Sequence, residues 1–131
     1  MHDKTTEFSF MLKNAVHGVG VFAAHDIKAD TFLRVFGDED NPHDVSVIRK
    51  RGDVPEFFRR YCVKRGDAMG CPKDFGCMEV GWYINHSKMP NAYVRDKEFY
   101  ALHDIVAGEE ITIDYNTLSE PHDVREDFYA G

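Results

Sequence analysis

The amino-acid sequence predicts a mainly β domain of several small sheets with short helices, and three observations carry that expectation. Short β-prone runs recur between turn-forming residues in the first third and the last half of the chain. A turn-rich stretch with helix-like apolar spacing lies between them. The third is an internal echo: "AAHDIKADTFL" at Ala23–Leu33 and "ALHDIVAGEEI" at Ala101–Ile111 both read strand, turn, strand. Two copies are too few for a solenoid, which needs three or more repeats to bury a continuous core, so they read as two similar hairpin corners of one domain.

The elements follow in order. "FSFML" at Phe8–Leu12 and "GVFAA" at Gly20–Ala24 are the first strands, with a turn region at Asn14–Gly18. "TFLRVF" at Thr31–Phe36 alternates poorly, as a strand buried on both faces would. "GDEDNPHD" at Gly37–Asp44 gathers turn formers and acids, and Asp44 is placed to cap a short helix reaching Arg51. A second helix is expected from Asp53, with Pro55 early, Phe57, Phe58 and Tyr61 as apolar contacts, and an end near Gly66. After "GDAMGCPKDFGC" the strands resume at Met78–Val80, Ala92–Val94, Glu98–Leu102 and Ile111–Ile113. Within the echo, Gly108 suits a left-handed turn position and Asp30 occupies it in the first copy, a residue type that tolerates that region. His25 and His103 then stand at matching exposed corners.

At 131 residues the chain is expected to be a single domain, 1–131, with a variable helical insert at 38–76 and a flanking segment at 116–131. Its 43% hydrophobic and 30% charged residues are ordinary for a globular protein. The net charge of -7 argues against wholesale nucleic-acid binding. Basic residues are nonetheless gathered between Arg49 and Arg65, seven against two acids, which leaves nucleic-acid contact possible only through that stretch. A solvated face reads the same way. Cys62, Cys71 and Cys77 are an odd set at irregular spacing and are expected to be free thiols. "MHDKTTEF" lacks the apolar core of a signal peptide and no long apolar run exists, so a cytoplasmic location, or a nuclear one in a eukaryote, is expected and no membrane partner.

"WYINHSKMPNAYV" at Trp82–Val94 is too polar for a plain strand and too apolar for a plain loop. Asn85 offers donors and an acceptor, and His86 a ring nitrogen or its amide. Each also has an ordinary role, Asn85 as a turn-forming amide and His86 as a satisfied core imidazole. Gly18 and Gly20 let backbone approach a ligand closely, or simply make a β-turn.

Taken together, "HGVGVFA" (His17–Ala23), "INHSKMPNA" (Ile84–Ala92) and "GEEITIDY" (Gly108–Tyr115) stand in the order that resembles the SET domain, the fold of most protein-lysine methyltransferases. The resemblance runs from Phe10 to Tyr115, and "ALHDIVAGEEITIDY" is its longest continuous piece. It implies a β-clip fold of small sheets whose "NHS" and "GEEITIDY" segments are threaded through one another in a C-terminal pseudoknot. It implies S-adenosylmethionine as cofactor, with Gly18, Val19, Gly20, Val21 and Phe22 along its amino-acid end and Asn85 and His86 as a shelf for it. Tyr115 becomes the expected catalytic residue. Tyr83, Ile84 and Trp82 are placed along a lysine channel, although alternating aromatics equally suit a core strand. Phe128 and Tyr129, in a tail whose Ser119 and Pro121 suit a helix start, become a possible lid.

Two departures qualify the likeness. Many relatives carry a cysteine directly after "NHS" that joins a zinc-binding cluster; the corresponding residue here is Lys88, and no cysteine follows Cys77. No metal is therefore expected. The 38–76 insert is the other departure, the region that commonly helps choose substrate. The expected function is S-adenosylmethionine-dependent methyl transfer to the side-chain amine of lysine in a protein, with a basic, histone-like peptide favoured by the acidic remainder of the chain. The alternatives are a catalytically inactive SET-like module that binds peptide or protein, a small-amine methyltransferase, and a zinc-binding interaction protein. A homodimer is one way for so short a chain to cover its cofactor site.

Overall fold

The computed structural model describes residues 3–16, 18–36, 46–96 and 98–117. In chain order the strands are β1 (Phe10–Ala15), β2 (Gly18–Ala23), β3 (Phe32–Leu33), β4 (Ser46–Lys50), β5 (Val63–Arg65), β6 (Ala68–Pro72), β7 (Asn85–His86), β8 (Ala92–Arg95), β9 (Glu98–Ala101) and β10 (Glu110–Ile113). They form three small sheets, ordered β1-β2-β10-β7, β3-β9-β8 and β4-β6-β5. Helical structure among these residues is confined to 3-10 turns at Arg51–Asp53, Glu56–Tyr61, Val80–Tyr83 and Tyr115–Thr117. The fold is thus mainly β with short helices, as the sequence predicts.

The first sheet positions the site. β1 and β2 pair as a hairpin from Phe10 opposite Ala23 to Ala15 opposite Gly18. β10 adds to β2 with Ile111 opposite Val21. β7 then runs parallel to β10, placing Asn85 beside Thr112 and His86 beside Ile113. Parallel neighbours need a long crossover, and here β8, β9 and the second echo corner supply it. Ile111 and Ile113 are buried in the core, so the alternation of a strand turns Glu110 and Thr112 to the opposite face. The segments "NHS" and "GEEITIDY", distant in sequence, lie side by side.

Asn91 fastens this crossover. Its Nδ2 donates to the Glu110 carbonyl at 2.7 Å and to Glu109 Oε2 at 3.1 Å, while its Oδ1 accepts the Thr112 amide at 2.9 Å. The side chain is only 6% exposed, so these bonds satisfy backbone groups in a poorly hydrated place. Beneath the sheets, Val21, Leu33, Ile84, Ile105 and Ile111 belong to the main core. A smaller core of Val54, Cys62, Met69 and Cys71 supports the β4-β6-β5 sheet.

The two echo copies are reciprocal corners packed on each other. Ile27 and Ile105 exchange both backbone bonds, at 2.8 and 2.7 Å. Asp26 Oδ1 accepts the Ala107 amide at 2.8 Å, and Asp104 Oδ1 accepts the Ala29 amide at 2.9 Å. Asp30 (φ 66) and Gly108 (φ 89) both hold the left-handed conformation. Their amides bond the Ala101 and Ala23 carbonyls, each at 2.8 Å. His25 and His103 are exposed.

The insert differs from expectation. Ser46–Lys50 is a strand rather than a helix, paired with β6 from Ser46 opposite Pro72 to Lys50 opposite Ala68. Val47 and Ile48 are β-branched, and so short an isolated helix is marginal in water, so pairing with β6 prevails. The expected second helix is two 3-10 turns. Glu56–Tyr61 stops where Cys62 turns extended (φ -104, ψ 160), because Val63–Arg65 is drawn into the sheet against β6. Met78–Val80 forms no strand, and Val80–Tyr83 is a 3-10 turn. Gly81 there donates to the Val35 carbonyl at 2.8 Å, and a Cβ on it would overlap the Phe36 ring. Of Thr31–Phe36 only Phe32–Leu33 pairs as strand. Asp38, Glu39, Asp40 and the Asp44 cap lie outside the described residues.

Candidate functional site

One amide side chain joins three strands of the first sheet. Asn85 Nδ2 donates to the Val19 carbonyl at 3.2 Å on β2 and to Glu110 Oε2 at 2.8 Å on β10. It reaches across because β10 lies between β7 and β2. The approach depends on Gly20: a Cβ there would overlap Glu110 Oε2 and stand 2.9 Å from Ala15 Cβ and 3.1 Å from Asn85 Nδ2. Gly18, at φ 99, turns the chain at the hairpin end in a conformation that side-chain-bearing residues rarely adopt. Both Asn85 amide protons face protein, and its carbonyl oxygen is an acceptor for a further partner.

His86 and Tyr115 interlock one residue along. His86 Nδ1 accepts the Tyr115 amide at 3.1 Å, so the neutral ring carries its proton on Nε2. Asp114 Oδ1 is 3.7 Å from the same Nδ1, too far for a hydrogen bond; it accepts the Asn116 amide at 3.0 Å and so shapes the Tyr115–Thr117 turn. The Tyr115 phenol donates to the Ile84 carbonyl. With its proton committed there, the phenol oxygen meets any other group as an acceptor. The Ile84 side chain is buried in the core, and its carbonyl is the part that meets Tyr115.

A shallow, largely open depression of about 380 Å³ is lined by Leu12, Lys13, Asn14, Val19 and Tyr83, and Val19, which accepts from Asn85, links it to the site. That is within the ordinary size range for a small-molecule site. Tyr83 forms one wall, and its ring meets Tyr61 of the insert edge-on, with centroids 5.5 Å apart. The neighbouring Arg60 brings its guanidinium to 3.6–3.7 Å from where a Gly18 Cβ would be. Trp82 packs its ring edge-on against Phe36 at 5.6 Å. Val21 points into the core, and Phe22 lies under Lys13 Nζ at 5.0 Å. His17, Phe128 and Tyr129 lie outside the described residues.

In the basic stretch, Arg49 and Arg59 bind their own fold. Arg49 donates to the Pro72 and Lys73 carbonyls at 2.7 and 2.9 Å, and Arg59 to the Val54 carbonyl at 2.8 Å. Cys62 and Cys71 are buried thiols and Cys77 an exposed one. Among the described residues no group of three or more His, Cys, Asp or Glu side chains is placed to hold a metal ion.

Sequence reasoning left three contributors out of the site. Glu110 could have been found, because strand alternation from Ile111 and Ile113 puts it on the Asn85 side. Arg60 and Tyr61 carry no local signal, since only the folding of the insert brings them to Gly18 and Tyr83.

The family profile described as SET domain matches residues 18–116. A histone methyltransferase candidate from Plasmodium falciparum shares 21% identity at a TM-score of 0.55, over 84% of this chain and 95% of that one. KRYPTONITE, solved with mCHH DNA, H3(1–15) peptide and SAH, shares 20% at a TM-score of 0.55, over 88% of this chain and 26% of that one. ctPRC2, solved in an autoinhibited conformation bound to S-adenosylmethionine, shares 19% at 0.58, over 89% of this chain and 16% of that one. At these identities the likeness is one of fold. No curated protein matches the chain in sequence. The profile spans the Gly18–Gly20 loop, the Asn85–His86 pair and Tyr115, and a match over that much of the sequence means that the chain belongs to the SET domain family.

Proposed function

We propose that the protein is an S-adenosylmethionine-dependent methyltransferase that modifies the side-chain amine of a lysine in a protein substrate. The observation that carries this reading is the Tyr115 phenol set against the Ile84 carbonyl, beside the Asn85 bond to the Gly18–Gly20 loop. The residues present fit the cofactor. Gly20 has no room for a side chain, Asn85 keeps an acceptor, and the open depression at Val19 offers about 380 Å³ with polar and aromatic walls. Val19, Gly20, Asn85 and His86 would hold it. When bound, it supplies an electrophilic methyl group on a sulfonium.

The chain's own residues do the rest. A lysine amine has an ordinary pKa of roughly 10.4 and attacks only when neutral. Desolvation of the entering side chain would disfavour the ammonium form, so its proton would leave to water. Tyr115, already donating to Ile84, accepts an N–H from the amine and holds its lone pair in line. Asp114 accepts the Asn116 amide and so shapes the turn that carries Tyr115, a structural role. The chain's net charge of -7 favours a basic peptide as substrate, in keeping with the H3 peptide bound by KRYPTONITE.

Calorimetric titration with S-adenosylmethionine and S-adenosylhomocysteine, followed by transfer of labelled methyl to lysine-bearing basic peptides, tests the proposal. Saturable binding at one site per chain, lost in Asn85→Ala, is expected. Tyr115→Phe should keep cofactor affinity and lower turnover by about a hundredfold, the scale of a lost positioning contact. Binding without transfer to any peptide would leave a binding module; no binding at millimolar ligand would sink the reading.

A further inference from the structure

The Gly18–Gly20 loop is flanked by opposite charges from two distant parts of the chain. Arg60, in the insert, sets its guanidinium at 3.6–3.7 Å from the Gly18 Cβ position, and it lies 5.8 Å from the Tyr61 ring centroid. Glu110, on β10, sets Oε2 against the Cβ position of Gly20 and accepts from Asn85 Nδ2 at 2.8 Å. Gly18 and Gly20 are two residues apart on β2, so the glycines that these groups face stand about 6.5 Å from each other. With no side chain on either glycine, the two charged groups come up against the strand themselves, Glu110 in the place of a Gly20 Cβ and Arg60 at contact distance from that of Gly18.

A zwitterion fits that pattern. An α-amino acid carries an ammonium and a carboxylate on one carbon, and hydrogen bonds to both from outside span a similar distance. A planar guanidinium grips a carboxylate through two N–H donors, and a carboxylate already taking one Asn85 proton keeps lone pairs for an ammonium. We infer that Arg60 and Glu110 clamp the amino-acid end of the cofactor, Arg60 taking its carboxylate and Glu110 its ammonium. The inference rests on the cofactor reading above and assigns to the insert a part in cofactor recognition. Arg60 and Tyr61 are adjacent in one 3-10 turn, so the turn that contributes the cation also braces Tyr83, a wall of the depression.

The test compares two ligands that differ in the group concerned. S-adenosylhomocysteine has the amino-acid end; 5′-deoxy-5′-methylthioadenosine keeps the adenosine and a thioether and lacks it. Both are titrated calorimetrically into the wild-type protein, Arg60→Gln and Arg60→Lys, with a melting curve for each variant. Arg60 is exposed, so its replacement should leave the fold intact. Arg60→Gln is expected to weaken S-adenosylhomocysteine about tenfold, the size of one charge-assisted bond at an exposed site, and to leave methylthioadenosine within about twofold. Arg60→Lys should fall between, because it keeps the charge and loses the fork. Equal losses for both ligands would mean that Arg60 only shapes the depression and would overturn the clamp, as would an unchanged S-adenosylhomocysteine affinity. If the wild-type protein bound neither ligand, the cofactor reading itself would fail and the clamp with it.

Discussion

Replacing Asn91 with alanine should unfold the protein far more readily, although the residue is remote from the Tyr115 phenol in chain order. The truncation removes the two bonds that the amide makes to β10 backbone, at 2.7 Å to the Glu110 carbonyl and 2.9 Å from the Thr112 amide. Asn91 is 6% exposed, so water has poor access to the groups left behind. Each such orphan costs about 1–3 kcal/mol, which sets the expected loss at about 2–6 kcal/mol. The third bond, to Glu109, is to a carboxylate near the surface and adds little. Against a total stability of about 5–15 kcal/mol this is a large fraction. Urea unfolding followed by circular dichroism measures it: at a slope of about 1–3 kcal/mol per molar, the midpoint should fall by at least about 0.7 M with the slope unchanged. A fall below about 0.3 M would refute the claim that these bonds hold the crossover.

The same variant carries a pH signature. Hydrogen bonds from the Val106 amide and then from Asn91 hold the Glu109 carboxyl below its ordinary value of 4.5. A lowered folded value means that the ionised form is stabilised by folding, in full above 4.5 and lost as pH falls through the lowered value. Asn91→Ala removes one of the two donors, so the stability gap between wild type and variant should narrow through that acid window. A constant gap would show that Asn91 contributes nothing to the shift.

Two further substitutions test the glycines. Gly20→Ala forces a Cβ into Glu110 Oε2 and should cost about 1–3 kcal/mol while weakening S-adenosylhomocysteine binding; an unaltered melting temperature with unaltered binding would remove Gly20 from the site. Gly108→Ala meets no neighbour but sits at φ 89, so about 1–2 kcal/mol should be lost to backbone strain alone. Gly52→Ala, equally open and without a positive φ, should be neutral or stabilising by about 0.4–1 kcal/mol, and thermal melts of the pair that came out equal would contradict the backbone argument.

Legibility in the sequence followed the range of the interaction. The echo corners were readable because turn chemistry is local: Asp30 and Gly108 needed only their own neighbours to declare a left-handed position, and both adopt it. The strands through Val21 and through Ile111–Ile113 were readable for the same reason. The insert misled, because Pro55 and the spacing of Phe57, Phe58 and Tyr61 signal a helix start locally. Competition from β6, which offers backbone partners to both Ser46–Lys50 and Val63–Arg65, is invisible at that range.

By itself the sequence determined a single β-rich chain, two matched corners, and three motif segments whose order marks the SET domain family. Only the tertiary structure decided that Asn85 bonds both the Val19 carbonyl and Glu110, that the Tyr115 phenol meets the Ile84 carbonyl, and that Arg60 stands over Gly18. The physical reason is that residue type and spacing encode backbone preference and burial, whereas partners across a parallel strand pair or a folded insert are chosen by the packing of the whole chain.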